Sequence, residues 1–298
     1  MTMRLAARAL DGFARPFALW RGLAPEWRRA IAGFALYALA LTALAWPSAA
    51  SMAGQWVSSS SFHHAPLAAP LALWLILRQR EAATPALFPP ALIAVALLGG
   101  LWIAGRVLGA DIAEHVAFVS LLIAGAALFF GIANARNWAF PLAFLFFLVP
   151  FGASLTPALQ QITAAASEAL LNLSGLPATR SGVIITTGAG PFEVADSCAG
   201  LNFLLAAAMV STLFAAAALH GWRRRIGFVA FALVLSVAAN IARVAVVIAA
   251  ATIMNSADTI GADHIVFGWV FYALMLFLLM LIGRRMALAQ RLSTDASR

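Results

Sequence analysis

Long apolar runs separated by short polar segments dominate the sequence. Eight of these runs approach or reach the roughly 17 to 25 residues that an α-helix needs to cross a bilayer. The pattern therefore predicts an all-α polytopic membrane protein with about eight transmembrane helices. The expected spans are 30–46, 66–77, 86–105, 115–133, 138–153, 199–219, 226–254 and 264–283.

The segment 154–197, between the fifth and sixth runs, is the longest stretch outside the predicted membrane besides the termini. Its first part, from Pro157, has apolar residues at helical spacing and predicts a small helix at the membrane interface. Its second part has β-branched residues at 183–187, a GAG turn and an extended run at 192–194, which together predict a β-hairpin before the sixth span. The apolar positions of the helix are Ile162, Ala166, Leu170 and Leu173, opposite Gln161, Glu168 and Asn172.

Composition supports the membrane class, since 63% of the residues are hydrophobic and only 10% are charged. The mean hydropathy is +0.94. All 19 basic residues are arginines, so mechanisms that need a lysine are excluded. A net charge of +8 could indicate a nucleic-acid partner, but arginines that flank apolar spans are better explained as topology signals. We therefore expect membrane lipid and no nucleic acid among the partners.

Arginine placement tests the even number of spans, because short cytoplasmic loops of membrane proteins are enriched in Lys and Arg. With eight spans, 16 of the 19 arginines fall on one side, which predicts cytoplasmic termini and an extracytoplasmic segment 154–197. We expect residues 1–29 to form a cytoplasmic or interfacial amphipathic segment, 30–285 a single transmembrane domain, and 286–298 a cytoplasmic tail. The exceptions, which are candidates for a functional role, are Arg106, Arg180 and Arg243.

Cys198 is the only cysteine, so neither an internal disulfide nor a cysteine-built zinc site is available. It follows a polar segment and sits within a residue or two of the predicted start of the sixth span. A helix that began there would direct backbone donors and its positive dipole end at the thiol and favour the thiolate. The small residues Ala199 and Gly200 leave room for a substrate backbone, and their amides could form part of an oxyanion hole. The alternative is a packed structural cysteine.

Arg243 lies inside an apolar run, where an arginine costs about 2.5 to 3.5 kcal/mol on insertion scales unless it is paired. Counting from the cytoplasmic end of its span places Arg243 about 25 Å across the membrane, at the depth of Cys198. Asn240, one helical turn earlier, could share a polar pocket with it. The alternative is an arginine that snorkels to the interface.

His264 follows Asp263 and opens the eighth span on the same side of the membrane. An imidazole at that depth could act as a general base or stabilise a thiolate. The alternative is a polar anchor at the interface. Asp111, Glu114 and His115 form a weaker candidate group for metal binding, and we favour a solvated loop rim at that position; no metal and no cofactor are expected.

The motifs FEVADSCAGLNFL around Cys198 and NIAR at 240–243, followed by His264, resemble those of the exosortase and archaeosortase family of membrane cysteine transpeptidases. The resemblance covers about residues 145–285. It implies an enzyme of the bacterial inner membrane, with its active site facing the periplasm, that recognises a PEP-CTERM-type sorting signal on secreted proteins. Such a signal consists of a short Pro-Glu-Pro motif, a transmembrane helix and an Arg-rich tail.

The resemblance also implies that the protein cleaves this signal through a cysteine thioester and transfers the substrate to an envelope acceptor. Cys198 would be the nucleophile, Arg243 would stabilise the oxyanion or thiolate, and His264 would act as general acid and base. The family usually has Ser after the nucleophile, where this sequence has Ala199, which puts a hydroxyl role at that position in doubt.

Two carboxylates before the cysteine, Glu193 and Asp196, could orient the histidine or contact substrate, but they could equally be solvated. Two other functions remain open from the sequence. One is a transport or permease subunit in which Arg243, His264 and Asp263 bind an anionic substrate or relay protons. The other is a catalytically idle assembly factor with the same fold.

Overall fold

The computed structural model describes residues 22–79, 82–255 and 260–295, with side chains for 268–290 and Leu292 in the last range. This part of the chain contains ten α-helices and one small sheet. Most helices coincide with apolar runs, whereas α2 covers a serine-containing segment that the hydrophobic pattern does not indicate. The helices are α1 (Pro25–Leu44), α2 (Trp46–Ser58), α3 (Ala68–Arg78), α4 (Ala91–Val107), α5 (Asp111–Asn137), α6 (Ala139–Phe144), α7 (Thr156–Leu173), α8 (Leu201–Ala218), α9 (Trp222–Ile253) and α10 (Ile260–Asp295).

Four helical segments within the described ranges are long and apolar enough to cross a membrane, and the number rises to six if two bent helix pairs each count as one span. The four segments are 111–137, 196–218, 222–253 and 268–290. The all-α polytopic membrane class is therefore confirmed, and the count of eight spans stays a prediction. Of the remaining apolar helices, α3 has 11 residues and α4 has 17.

The predicted domain limits also stay predictions, and residues 1–21 lie outside the described part. Helix α1 begins at Pro25, inside the predicted amino-terminal segment, and α10 continues to Asp295 through most of the predicted tail. The chain forms two compact units by its contacts, one made of residues 1–55 and 65–150 and the other of 56–64 and 151–298.

In the first unit, α5 packs against α1 and α4, and glycines allow the close approach. A Cβ on Gly125 would lie 2.2 Å from the Tyr37 ring of α1, and one on Gly105 would lie 2.9 Å from the Glu114 backbone. The Tyr37 hydroxyl donates a hydrogen bond to the Leu121 carbonyl oxygen at 2.9 Å. Small residues at such contacts are typical of helices that pack within membranes, where close van der Waals contact drives association.

Glu114 lies in a buried polar cluster of the first unit. Its carboxylate accepts hydrogen bonds from the Ser48 hydroxyl and, at 3.2 Å, from Arg106, and the Trp102 indole donates to Ser48 at 2.9 Å. Glu114 and His115 are 7% and 2% exposed and so do not belong to a solvated rim, whereas Asp111 is exposed as expected. Among the described residues, no group of three His, Cys, Asp or Glu side chains is arranged to hold a metal ion.

In the second unit, the long helix α9 contacts α7, α8 and α10. At the end that contains the α8–α9 connection, Phe228 and Ala232 of α9 pack with Leu219 and with Leu279 of α10. Gln290 fixes the connection, because its amide exchanges two hydrogen bonds, of 3.1 and 3.0 Å, with the backbone of His220. Near the opposite end of α9, Val244 and Ile248 pack against α7 and the sheet.

The sheet has three antiparallel strands in the order β1 (Thr179–Ser181), β2 (Ile184–Thr187) and β3 (Gly190–Glu193). Ile185 pairs with Phe192, and both side chains are buried in the cluster that α9 completes. The predicted hairpin is therefore confirmed, and β1 is an additional strand. Glu168 of α7 secures β1 through a salt bridge of 3.2 Å to Arg180.

Helix α7 exists as predicted, and the structure shows which of its faces packs within the protein. Leu159, Thr163, Ser167 and Leu171 are buried, whereas Ile162, Leu170 and Leu173 of the predicted apolar face are exposed. The buried face follows i, i+4 spacing and presents two hydroxyl groups toward α9 and the turn before α8: Ser167 donates to the Ile241 carbonyl oxygen at 3.3 Å. Hydroxyl-bearing residues therefore contribute to this contact beside two buried leucines, and the other apolar side chains of the helix are left for the surroundings.

Candidate active site

Cys198 ends a short 3-10 turn, Asp196–Cys198, that connects β3 to α8. Helix α8 begins three residues later, at Leu201, after Gly200 adopts a positive φ of 92°. Cys198 therefore lies two residues after the start of the membrane-crossing segment 196–218, as predicted, but in the 3-10 turn that precedes the α-helix. The Cys198 side chain is half-buried, with the Ser197 hydroxyl oxygen 4.0 Å from its sulfur.

The sequence suggested that Ala199 and Gly200 leave open space for a substrate. In the structure, other residues fill that space. Ala199 is 1% exposed and packs with Phe62 and Leu205, and its amide donates to the Asp196 carbonyl oxygen at 3.2 Å. The space beside Gly200 is filled by Asn240, since a Cβ there would lie 2.6 Å from the Asn240 amide group. Both small residues therefore shape the turn that holds the cysteine.

Asn240 links the cysteine turn to α7 and to the buried arginine. Its side-chain amide donates to the Cys198 carbonyl oxygen at 2.9 Å and lies 3.3 Å from the Thr163 hydroxyl. Its side-chain oxygen accepts a hydrogen bond of 3.2 Å from Arg243. The side chain is 1% exposed, so these contacts occur away from solvent. Asn240 and Arg243, one helical turn apart, are therefore hydrogen-bonded to each other away from solvent.

Substitution of Gly200 by alanine is expected to destabilise the protein by about 2 kcal/mol, because the new Cβ adds left-handed backbone strain and displaces Asn240. The matched control is Gly188→Ala, since Gly188 has open space at the Cβ position and no positive φ. Thermal unfolding in detergent measures both. Equal melting temperatures for the two variants would show that the packing of Asn240 on Gly200 contributes no stability.

Arg243 is 7% exposed, so it does not snorkel. Its guanidinium carbon lies 5.6 Å from the centre of the Phe203 ring, and a Cβ on Gly268 of α10 would lie 3.6 Å from Nη1. The buried Nε has no hydrogen-bond partner. Among the described residues, no carboxylate forms a salt bridge with Arg243, whereas Arg106 and Arg180 each pair with a glutamate at 3.2 Å.

Cys198 and Arg243 line the same cavity, which has a volume of about 210 Å³. Glu193 also lines it, but its side chain is exposed at the rim. The remaining walls come mainly from β3 and α9, and their apolar character strengthens electrostatic interactions within the cavity. Apolar side chains of this wall include Phe192, Val194, Val244, Val247 and Ile248.

Asp196 is separated from this cavity and lines a neighbouring cleft. Its carboxylate accepts a hydrogen bond of 2.9 Å from Gln160, which also donates to the Val194 carbonyl oxygen at 3.0 Å. The two carboxylates before the cysteine thus face different spaces, although they are three residues apart. Ser197 lines both spaces.

The side chains of Asp263 and His264 lie outside the described residues. Helix α10 includes both positions and places 264 one turn before Gly268, the residue that faces Arg243.

Three residues of the site were not indicated by the sequence: Thr163, Gln160 and Phe203. Each is an ordinary residue of an amphipathic or apolar helix, and its role depends on contacts between helices that are distant in the sequence. Only Asn240 carried a local signal, because it precedes the buried arginine by three residues in one helix.

A comparison with known protein families matches the part of the chain that contains the candidate site. The family model of transmembrane exosortases matches residues 56–281, which include Cys198, Asn240, Arg243 and His264. No curated protein and no solved structure matches the chain. Family membership supports a membrane transpeptidase of the exosortase type. Because the family match covers well over half of the sequence, the protein belongs to the transmembrane exosortase family.

Proposed function

We propose that the protein is a cysteine transpeptidase that cleaves the carboxy-terminal sorting signal of secreted proteins through a thioester on Cys198. The observation that carries this proposal is the shared cavity of the only thiol and a buried arginine that has no carboxylate partner among the described residues. A sulfur nucleophile next to a cation that can stabilise developing negative charge is the arrangement that acyl transfer requires.

Among the described residues Arg243 has no counter-charge, and a buried charge that lacks one is energetically unfavourable. Asn240 and Phe203 compensate only in part, through one hydrogen bond and one cation–π contact. The Nε donor remains unused. A site with a spare buried donor can bind an oxyanion as it forms, without the need to break an existing salt bridge.

In the first half-reaction, the Cys198 thiol gives its proton to His264, Sγ forms a bond to the carbonyl carbon of the scissile peptide, and the carbonyl oxygen becomes an oxyanion near Arg243. The carbon–nitrogen bond then breaks, the leaving amine takes a proton from His264, and the upstream polypeptide remains as a thioester. The Ala199 amide is engaged within its own turn, so we assign oxyanion stabilisation to the guanidinium.

His264 is proposed as the general acid in this step and the general base in the next. Its helix supports the role, since position 264 lies one turn from Gly268 beside Arg243. In the second half-reaction, an acceptor hydroxyl or amine gives a proton to His264 and bonds to the carbonyl carbon, while the carbon–sulfur bond breaks and releases Cys198. We also propose that Glu193, which lines the cavity, contacts the peptide and that Asp263 orients His264.

The proposed substrates carry a Pro-Glu-Pro-type motif, a transmembrane helix and an Arg-rich tail, as the family resemblance implies. The protein is an integral membrane protein, and we propose the bacterial inner membrane, cytoplasmic termini and an active site that faces the periplasm. The arginine distribution supports this orientation, because 16 of 19 arginines fall on the side that the predicted spans make cytoplasmic.

Co-expression with a candidate substrate tests the proposal, with mass spectrometry of the new carboxy terminus as the measurement. We expect cleavage at or next to the Pro-Glu-Pro motif and an added group from the envelope acceptor. Hydroxylamine added to the membranes should divert the thioester to a carboxy-terminal hydroxamate, which marks an acyl-enzyme directly.

A substrate that keeps its full tail would contradict the proposed function and favour a transporter or an idle assembly factor. Cleavage without any hydroxamate would contradict the thioester step but not the peptidase activity. Substrate with a shortened Arg-rich tail serves as the control for specificity, and we expect it to remain uncleaved.

A further inference from the structure

A second, larger cleft lies on the other side of the cysteine turn, within the same compact unit. Its volume is about 480 Å³, compared with about 210 Å³ for the cavity that contains Arg243. The wall is formed by the serine-rich segment that follows α2, by the start of α7 and by the turn before Cys198. Its polar lining consists of Ser58, Ser59, Ser60, Ser61, Thr156, Asp196 and Ser197.

The side chains that line this cleft favour some classes of ligand over others. It offers six hydroxyl groups that can each donate and accept, one carboxylate and no cation. In the described structure, the hydroxyls of Ser58 to Ser61 and of Thr156 make no hydrogen bond within the chain, so they are available to a ligand. Asp196 is already oriented by Gln160 at 2.9 Å and keeps further acceptor capacity.

An anionic ligand is disfavoured in this cleft, because Asp196 would repel it and no arginine or histidine compensates. The lining suits a neutral ligand with several hydroxyl groups, since the serine hydroxyls can both donate and accept hydrogen bonds. The buried ring of Phe62 and the side chain of Leu201 supply an apolar wall for the carbon skeleton of such a ligand.

The cleft is next to the nucleophile. Ser197 lines both spaces, and its hydroxyl oxygen lies 4.0 Å from Cys198 Sγ. The turn Asp196–Cys198 is therefore a thin partition, with the apolar, arginine-containing cavity on one side and the hydroxyl-lined cleft on the other. Two substrates that must meet at one sulfur atom would approach it from these two sides.

We propose that the hydroxyl-lined cleft binds a neutral polyhydroxylated group of the sugar type and presents it as the acceptor for acyl transfer. The acceptor role rests on the proposed function. In the transfer step, an oxygen of this group bonds to the thioester carbonyl carbon, the carbon–sulfur bond breaks, and the hydroxyl proton passes by way of His264 to the released thiolate. The product is an ester of the upstream polypeptide, and the enzyme returns with a free thiol.

Saturation-transfer NMR on the full-length protein in detergent tests the site, with methyl glucoside as the probe and glucose 6-phosphate as the anionic counterpart. We expect saturable binding of methyl glucoside by the wild type and by Cys198→Ala, since binding does not need the thiol. The combined variant Ser60→Ala, Thr156→Val should bind about tenfold more weakly, as expected for the loss of two hydrogen bonds. The matched control, Thr179→Val with Ser181→Ala, removes two exposed hydroxyls of β1 and should bind as the wild type does.

In membranes, the same combined variant should lower the ratio of transferred to hydrolysed product about tenfold, because water then competes with a poorly held acceptor. No binding of methyl glucoside, equal binding of glucose 6-phosphate, or an unchanged combined variant would each overturn the proposal. A wild-type protein that binds the sugar but cleaves no substrate would instead overturn the proposed function, so the two failures are distinguishable.

Discussion

Replacement of Cys198 by alanine is expected to reduce cleavage of a sorting-signal substrate to the level of membranes that lack the protein. Loss of a catalytic nucleophile typically costs several orders of magnitude in rate, about 10⁶ in a serine protease. The fold should persist, because the thiol is half-buried and its recorded polar contact is the Ser197 hydroxyl at 4.0 Å. Immunoblots of substrate and enzyme measure conversion and accumulation together.

Ser181→Ala is the matched control for this variant, since it removes one small polar atom from the exposed strand β1 of the same unit. It should convert substrate as the wild type does. A Cys198→Ala protein that still produced the shortened substrate would show that another residue is the nucleophile.

The single thiol also permits a chemical test without mutation. A small alkylating reagent applied from the outer side should modify one site per chain and abolish cleavage in parallel with the label. Labelling that is complete while cleavage continues would contradict the thioester mechanism. A thiol that did not react at all would indicate a packed cysteine.

The hydrophobic pattern predicted the helices well because each apolar run is a local property of the sequence. Helices α5, α8 and α9 lie where the runs at 115–133, 199–219 and 226–254 predicted them. The hairpin was also a local signal, since a β-branched run, a glycine turn and a second extended run are adjacent in sequence. Strand β1 was missed because it has three residues and is held by α7 through Arg180.

The exposed and buried faces of α7 could not be predicted in the same way. An apolar stripe normally marks the buried face of a helix in water, but next to a membrane an apolar stripe can remain outside. The packed face instead uses Thr163 and Ser167, whose partners are more than 30 residues away in sequence. Helical periodicity alone does not distinguish these two cases.

The sequence nominated the candidate site residues but did not indicate the geometry that joins the described ones. Cys198, Asn240 and Arg243 are brought together, but through a left-handed Gly200 on which Asn240 packs, and not through the first turn of a helix. Hydrophobic periodicity in a single sequence does not indicate a glycine with positive φ or a side-chain hydrogen bond to a carbonyl group that is distant in the sequence. The different cavities of Glu193 and Asp196 depend on the same turn.

Arg243→Lys is expected to reduce turnover about 10²-fold or more, which is the loss seen when one oxyanion donor is removed from other acyl-transfer enzymes. The variant protein should still insert into the membrane. Lysine keeps the positive charge but loses the planar guanidinium that can donate from several nitrogens at once. It would also lose the Nη2 contact to Asn240 and the fit over the Phe203 ring. Initial rates of tail release in proteoliposomes measure the effect.

Arg180→Lys is the matched control, because Arg180 belongs to the same unit but is part-exposed and paired with Glu168 at 3.2 Å. Exposed salt bridges contribute about 0 to 1 kcal/mol, so this variant should keep nearly wild-type turnover. Arg243→Gln, which removes the charge as well, should be slower than Arg243→Lys if charge and donor geometry both stabilise the oxyanion. Wild-type turnover in Arg243→Lys would show that the guanidinium does not stabilise the oxyanion and would reduce Arg243 to a structural residue.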